Sequence, residues 1–244
     1  MAGVRPRRTA IVVVAKAPIA GVAKTRLGIA IGYAEAARLY EAFLIDSLQT
    51  IDTGLATPHS IVDAITRRIS CPDAQHALAL TKIVHTRWSI VPQRRTSLMG
   101  AIADSMEDGF AAGADVVVVI DADSPGLPFS QVEECIRLVE TNQAVLGPTL
   151  DGGYYLIAVH RDLGHRAAEL VLGRAYDGQT ICDETIRHAE RLGMTATKGP
   201  VGFDVDTVED LHRLIRELPP DGLERTRRTL AELVPTLAAP RSGR

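Results

Sequence analysis

Two short runs without a polar residue, Ala10 to Ala15 (A-I-V-V-V-A) and Val116 to Ile120 (V-V-V-V-I), restrict the fold of this chain more than any other feature. A strand with one wet face alternates apolar and polar residues. An unbroken β-branched run is instead the pattern of a strand covered on both faces, as in parallel sheets with helices above and below. Both runs stop abruptly at charge: Lys16-Ala17-Pro18 after the first and Asp121-Ala122-Asp123 after the second. Open α/β sheets bind ligands at the carboxyl ends of their strands, so the chain delivers a cation and two carboxylates to the edge where ligands sit.

Helical patterns alternate with these strands. Tyr33 to Ile51 places Ala37, Tyr40, Leu44, Ile45 and Leu48 on one face, Ser97 to Ala112 turns Leu98, Ile102 and Met106 inward and stops at Gly113, and Phe129 to Asn142 is amphipathic through Val132, Ile136 and Val139. Thr180 to Leu192, Thr207 to Leu218 and Leu223 to Leu237 read as three further helices. Ala144 to Gly147 and Tyr154 to Val159 read as strands, and Ser60 to Ile65, Lys82 to His85 and Trp88 to Pro92 as weaker ones. Strands alternating with helices predict an α/β fold: a three-layer sandwich around a mixed, mainly parallel, Rossmann-like sheet.

The bulk properties exclude several classes of function. With 46% apolar and 23% charged residues the chain is an ordinary globular sequence. A net charge of −3 offers no general attraction for nucleic acid. Its longest apolar stretch is far too short to span a membrane, and no apolar segment with a cleavage site follows Arg5, Arg7 and Arg8, so a cytoplasmic protein is expected. Cys71, Cys135 and Cys182 are an odd number without C-x-x-C spacing, which argues for buried thiols rather than disulfides or a zinc site.

Three constellations carry chemistry. The loop after the first strand holds Lys24-Thr25-Arg26, a point charge and a bidentate fork suited to phosphate, although neither a Walker A loop nor a G-x-G-x-x-G fingerprint is present. Asp121 and Asp123 follow the second apolar run, and Asp204 and Asp206 precede a helix that Thr207 and Asp210 would cap. Hard oxygen ligands from two loops suit Mg²⁺ or Mn²⁺, which share one or two carboxylates with substrate phosphates. Asp121 and Asp123 read as metal ligands ahead of a helix cap or turn, whereas Asp204 and Asp206 alone read as a cap of the following helix. Together Asp123, Asp204 and Asp206 become candidate metal ligands. Finally, Asp151-Gly152-Gly153 before Tyr154-Tyr155 is either a hairpin turn needing positive φ or a close backbone approach to a ligand, with Asp151 accepting from a hydroxyl. No histidine pair or G-x-S-x-G elbow supports hydrolase chemistry.

In order, the motifs A-K-x-P, G-x-x-K-T-R-L, D-S-P-x-L-P, L-G-P-x-x-D-G-G-Y-Y-L and D-V-D-T-x-x-D-L run from about Ile11 to Leu214. This series resembles the DUF2064 family, also labelled glycosyltransferase-like transferase 1, of the nucleotide-diphospho-sugar transferase superfamily. The resemblance implies a GT-A-type fold with metal on Asp123 and the Asp204/Asp206 segment. Lys24 and Arg26 are similar to the phosphate-binding residues of MobA-like and phospholactate guanylyltransferase-like nucleotidyltransferases. Ala122 stands where such relatives commonly carry glycine, and Arg174 to Glu184 lacks their Trp-Ser pair.

One transferase domain over residues 10–238 is therefore expected, between flexible tails at 1–9 and 239–244. Lys24, Arg26 and Asp123 are the expected catalytic residues, and Ala15, Lys16, Lys24, Thr25, Arg26, Ser124, Asp151, Gly152 and Gly153 the expected substrate contacts. The expected chemistry is Mg-dependent transfer of a nucleoside monophosphate from a nucleoside triphosphate to a small phosphorylated acceptor, releasing pyrophosphate. Glycosyl transfer from a nucleotide-sugar is the alternative, and a nucleotide-binding protein without turnover the third. The partners are a nucleotide or nucleotide-sugar and a small acceptor, with a homo-oligomer compatible.

Overall fold

The computed structural model of the protein describes residues 7–173, 180–219 and 221–238. The two apolar runs are neighbours: β1 (Arg7–Val14) lies parallel to β4 (Val116–Asp121), with Ile11 opposite Val118. From them the sheet extends on one side through β2 (Val62–Cys71) to β3 (Ser89–Pro92). On the other side stand β6 (Tyr154–His160), β5 (Ala144–Pro148) and β7 (Ala196–Lys198). Only β6 runs against its neighbours among the described strands, so the sheet is mixed and mainly parallel, as the buried runs predict. The chain winds from β1 outward to β3 and returns to place β4 on the opposite side of β1. That reversal leaves a crevice between the β1 and β4 ends.

Alternation along β4 divides its side chains between two cores. Val116, Val118 and Ile120 pack with Tyr40, Leu44 and Leu48 of α2 (Tyr33–Leu55) and with Val132 and Ile136 of α5 (Phe129–Leu138). Val117 and Val119 pack on the other face with Ile102 and Met106 of α4 (Leu98–Ala111) and with α6 (Ile181–Arg191). Each such aliphatic side chain is fully buried, contributing about 1.5–3 kcal/mol. A third core joins α1 (Thr25–Ile31), the outer face of α2, α7 (Val208–Glu217) and α8 (Glu224–Ala238), built on Leu27, Phe43, Leu211 and Leu230. Asp46 of α2 is buried under the start of α8, where its carboxylate accepts from the backbone N–H of Thr226 at 2.8 Å.

Several sequence expectations are corrected. The strand expected over Lys82 to His85 is a turn following an unforeseen helix, α3 (Ala74–Leu80), which Asp73 caps by accepting from His76 N–H. β2 continues six residues past Ile65 because its charged residues are paired rather than solvated: Arg67 reaches Asp52 on α2 at 3.0 Å and Arg68 reaches Asp108 on α4 at 2.7 Å, one on each face of the sheet. β1 starts at Arg7, not Ala10, so residues 7–9 of the expected tail are strand, and Arg7 pairs with Glu140 at 2.9 Å. Residues 1–6 and 239–244 of the expected tails lie outside the described residues. The cationic loop turns helical at Thr25, and α5 ends at Leu138 rather than Asn142. β7, three residues at the sheet edge, carries no pattern long enough to announce it.

Candidate functional site

Past Val14 the chain runs along the sheet edge, where Ala15 N–H donates to Ser70 O and Lys16 N–H donates to the Tyr40 hydroxyl at 3.1 Å. The small buried side chains of Ala15 and Ala17 let this loop lie close against the sheet before the tight turn at Ile19 to Ala23. Lys24 then opens α1 in the left-handed region, φ 51° and ψ 47°, which few non-glycine residues occupy. α1 is seven residues long, so Lys24 and Arg26, more than a helix dipole, carry the positive charge of this loop.

The acidic loop after β4 is shaped by its first carboxylate. Asp121 accepts from Asp123 N–H at 3.2 Å and from the Ser124 hydroxyl at 3.3 Å, a local turn that carries Asp123 out over the crevice. Burial raises the pKa of Asp121 well above the usual carboxylate range, reinforced by the charges of Asp123 and Asp204. The second acidic loop is sewn to the first through backbone, Val205 N–H donating to Asp123 O at 3.0 Å. Val205 itself is fully buried in the third core with Leu27 and Phe43, pinning the loop from below. Asp206 does not cap α7: Thr207 and Asp210 close the capping box themselves, leaving the Asp206 carboxylate free for the crevice.

These three segments meet at one atom. Lys24 Nζ lies 2.9 Å from Asp123 Oδ1 and 2.8 Å from Asp206 Oδ1, so the two carboxylates face each other across a single nitrogen. Arg26 approaches the other Asp206 oxygen at 3.7 Å. The Lys24 side chain is only 2% exposed, whereas those of Asp123 and Asp206 are 41% and 37% exposed and Arg26 is 69% exposed. Burial opposes charge on Lys24, but the two carboxylates outweigh it and raise its pKa. Asp204, half-buried beside them, is pushed up to about 6 by burial and by the charges of Asp151 and Asp206.

Around this cluster opens a cleft of about 500 Å³. Of the expected site residues, Ala15, Lys16, Lys24, Thr25, Arg26, Asp123, Asp204 and Asp206 line it. Ser124, Asp151, Gly152 and Gly153 stand outside its lining, with their polar groups spent locally. Asp151 accepts from the Thr149 hydroxyl at 2.5 Å and from Gly153 N–H at 3.1 Å, closing the β5–β6 turn, and Gly152 takes the positive φ of 92° that turn demands. Of the two tyrosines after it, Tyr155 is buried with its hydroxyl on Pro200 O at 3.0 Å, so Tyr154 faces the cleft.

Sequence reasoning missed one wall. The β3–α4 loop brings Gln93 and Thr96 to the cleft, and α4 adds Leu98 and Met99. Asp104, buried in α4, holds that loop by accepting from Arg94 N–H at 2.8 Å and Arg95 N–H at 2.9 Å. The available signal was position: this loop too leaves a strand at the edge where β1 and β4 end.

Among the described residues no three His, Cys, Asp or Glu side chains stand together at metal-ligand spacing. The donor chemistry nevertheless fits a hard divalent ion. Two carboxylates converge on one point inside a cleft wide enough for phosphates to complete the shell, the ligand set Mg²⁺ ordinarily takes.

Comparison with known proteins agrees with this architecture. Residues 60–176 match the model of the family described as "Uncharacterized protein conserved in bacteria (DUF2064)", a stretch that takes in β2 to β6, five of the seven described strands. None of the curated proteins matches the chain. A proposed nucleotide-diphospho-sugar transferase from Desulfovibrio desulfuricans G20 superposes with a TM-score of 0.79 at 27% identity, covering 94% of this chain and 96% of its own. A 4-diphosphocytidyl-2C-methyl-D-erythritol synthase from Anaerococcus prevotii has a TM-score of 0.56 at 12% identity, covering 87% of this chain and 98% of its own. A cytidylyltransferase from Leptospira borgpetersenii has a TM-score of 0.54 at 13% identity, covering 98% of this chain and all of its own (100%). The last two establish the shared fold alone.

Proposed function

We propose that the protein is a divalent-metal-dependent nucleotidyltransferase that moves a nucleoside monophosphate from a nucleoside triphosphate to a small phosphorylated acceptor. The observation that carries this reading is the meeting of Lys24 and Arg26 with Asp123 and Asp206 at the mouth of the β1/β4 crevice. Cationic groups for phosphates and carboxylates for the ion that phosphates bring are found together there. The nucleotidyltransferase and nucleotide-sugar transferase assignments of proteins sharing the fold support the same chemistry.

In this reading the triphosphate lies along the Ala15 to Arg26 loop, with Lys24 and Arg26 on its phosphate oxygens. Asp123 and Asp206 would hold Mg²⁺, which when bound neutralises charge on the reacting phosphate. Asp121 fixes the turn presenting Asp123, and Gln93 and Thr96 border the part of the cleft left for the rest of the nucleotide. An oxygen of the acceptor phosphate attacks the α-phosphorus in line. The bond from that phosphorus to the bridging oxygen breaks, and pyrophosphate departs. No side-chain nucleophile is needed, because positioning and charge neutralisation supply most of the acceleration.

The assignment of the Desulfovibrio protein keeps a second reading in view, glycosyl transfer with the same cluster on the diphosphate of a nucleotide-sugar. The product decides between them. The protein is incubated with Mg²⁺ and panels of nucleoside triphosphates plus sugar phosphates, or of nucleotide-sugars. Pyrophosphate release is the expected result, nucleoside diphosphate release from a nucleotide-sugar favours the alternative, and neither product removes both.

A further inference from the structure

Lys24 stands where the divalent ion of the proposed reaction would stand. Its ammonium touches one oxygen of Asp123 and one of Asp206 within 2.9 Å, and at 2% exposure it leaves almost no free surface on its side chain. A second cation cannot enter between those oxygens until the first has left. The backbone at Lys24 is left-handed, a conformation that a lysine keeps only where its surroundings hold it, and the paired carboxylates supply such a hold. Both carboxylates remain partly open to the cleft, and among the described residues only the exposed Arg26 approaches them besides Lys24, at 3.7 Å from the far oxygen of Asp206, so the pair is open to another cation once the ammonium leaves. The arrangement keeps two hard oxygen ligands in place while blocking the seat between them.

The same cleft would admit the trigger. Polyphosphate lying along the Ala15 to Arg26 loop would offer the ammonium further anionic oxygens, and the flexible four-carbon stem of lysine would let it turn toward them. From this geometry we infer that Lys24 is a built-in stand-in for the metal: it keeps Asp123 and Asp206 closed in the free protein, and a nucleotide's phosphates draw it off and open that pair to the ion. Metal then binds the nucleotide complex in preference to the free protein. The inference rests on reading Asp123 and Asp206 as the metal-bearing carboxylates, and its test does not depend on turnover.

Mn²⁺ is titrated into the full chain without nucleotide, with the free aqua ion followed by electron paramagnetic resonance. Lys24→Met and Lys24→Gln are each expected to bind Mn²⁺ at least tenfold more tightly than wild type, and adding Asp206→Asn to either variant should abolish the gain. In wild type alone, calorimetry with inorganic triphosphate in EDTA should show binding, since the anion meets Lys24 before any metal. That second measurement needs no variant to fold. Wild type binding Mn²⁺ as tightly as the lysine variants, with Asp206→Asn still abolishing it, would overturn the stand-in role and leave the metal reading in place. Absence of Mn²⁺ binding by every form, with and without triphosphate, would overturn both. Failure of triphosphate to bind in EDTA while Mn²⁺ alone binds wild type would reverse the order and equally reject the inference.

Discussion

Asp123 shows how one residue joins local and remote chemistry: its backbone is set by Asp121 two positions earlier, while its carboxylate meets a lysine on another loop. Asp123→Ala is expected to lower kcat by two or more orders of magnitude in a protein that remains folded by circular dichroism, the scale for lost electrostatic stabilisation of a transferring phosphoryl group. Near wild-type turnover would remove it from the site. Lys24→Ala should weaken nucleoside triphosphate binding more than monophosphate binding, read by calorimetry; equal losses would place the lysine away from the terminal phosphates. Asp204 gives a pH signature. Its pKa is pushed up to about 6, above the roughly 3.9 of an unfolded aspartate, so the fold favours the protonated form. The stability that proton lends is complete below about pH 4 and is lost as pH rises through about 6. Asp204→Asn, always neutral, should therefore melt higher than wild type at pH 8 in EDTA and no higher at pH 4, and an identical gap at both values would contradict the assignment.

Elements place these residues, and α4 does so twice. Its Asp104 fixes the β3–α4 loop through two backbone N–H groups. Asp104→Ala leaves both N–H groups without their acceptor, which should cost about 2–4 kcal/mol and weaken nucleotide binding as Gln93 and Thr96 lose their position. The same helix presses on the sheet at Gly109, where an added Cβ would lie 2.5 Å from a methyl of Val117 and 3.0 Å from Ala10 Cβ. Helix propensity favours alanine there by about 1 kcal/mol. The stiff β-branched neighbour in a central strand cannot yield, so Gly109→Ala should destabilise by about 1–3 kcal/mol in urea unfolding. α2 extends further than its pattern announces, to Leu55, because it serves two cores: Tyr40 and Leu44 face the sheet while Leu39 and Phe43 receive α1, α7 and α8.

At the scale of the whole molecule, the three cysteines sit in the two cores flanking the sheet and report its opening. Burial pushes the thiols of Cys71 and Cys182 up to about 11 and that of Cys135 to about 12, so none is a thiolate at pH 8. Ellman's reagent should find no fast-reacting thiol in the native protein and three in denaturant; a rapid native reaction would mean that a core face opens without unfolding. The sequence by itself determined the layers and the chemical edge. Unbroken Val and Ile runs could be satisfied only between two helical layers, and charges placed directly after them had to emerge at strand ends. It left open the part of β2 beyond Ile65, whose arginines imitate a solvent-facing segment until Asp52 and Asp108 neutralise them, and the β3–α4 loop, whose shape is imposed by a carboxylate on the following helix. The meeting of Lys24 with Asp206 across 182 positions was decided by tertiary structure alone. Hydrophobic periodicity records which face of an element is buried, whereas the distance between two strand-end loops depends on how the strands are ordered, and that order is fixed only when the cores on both sides of the sheet close together.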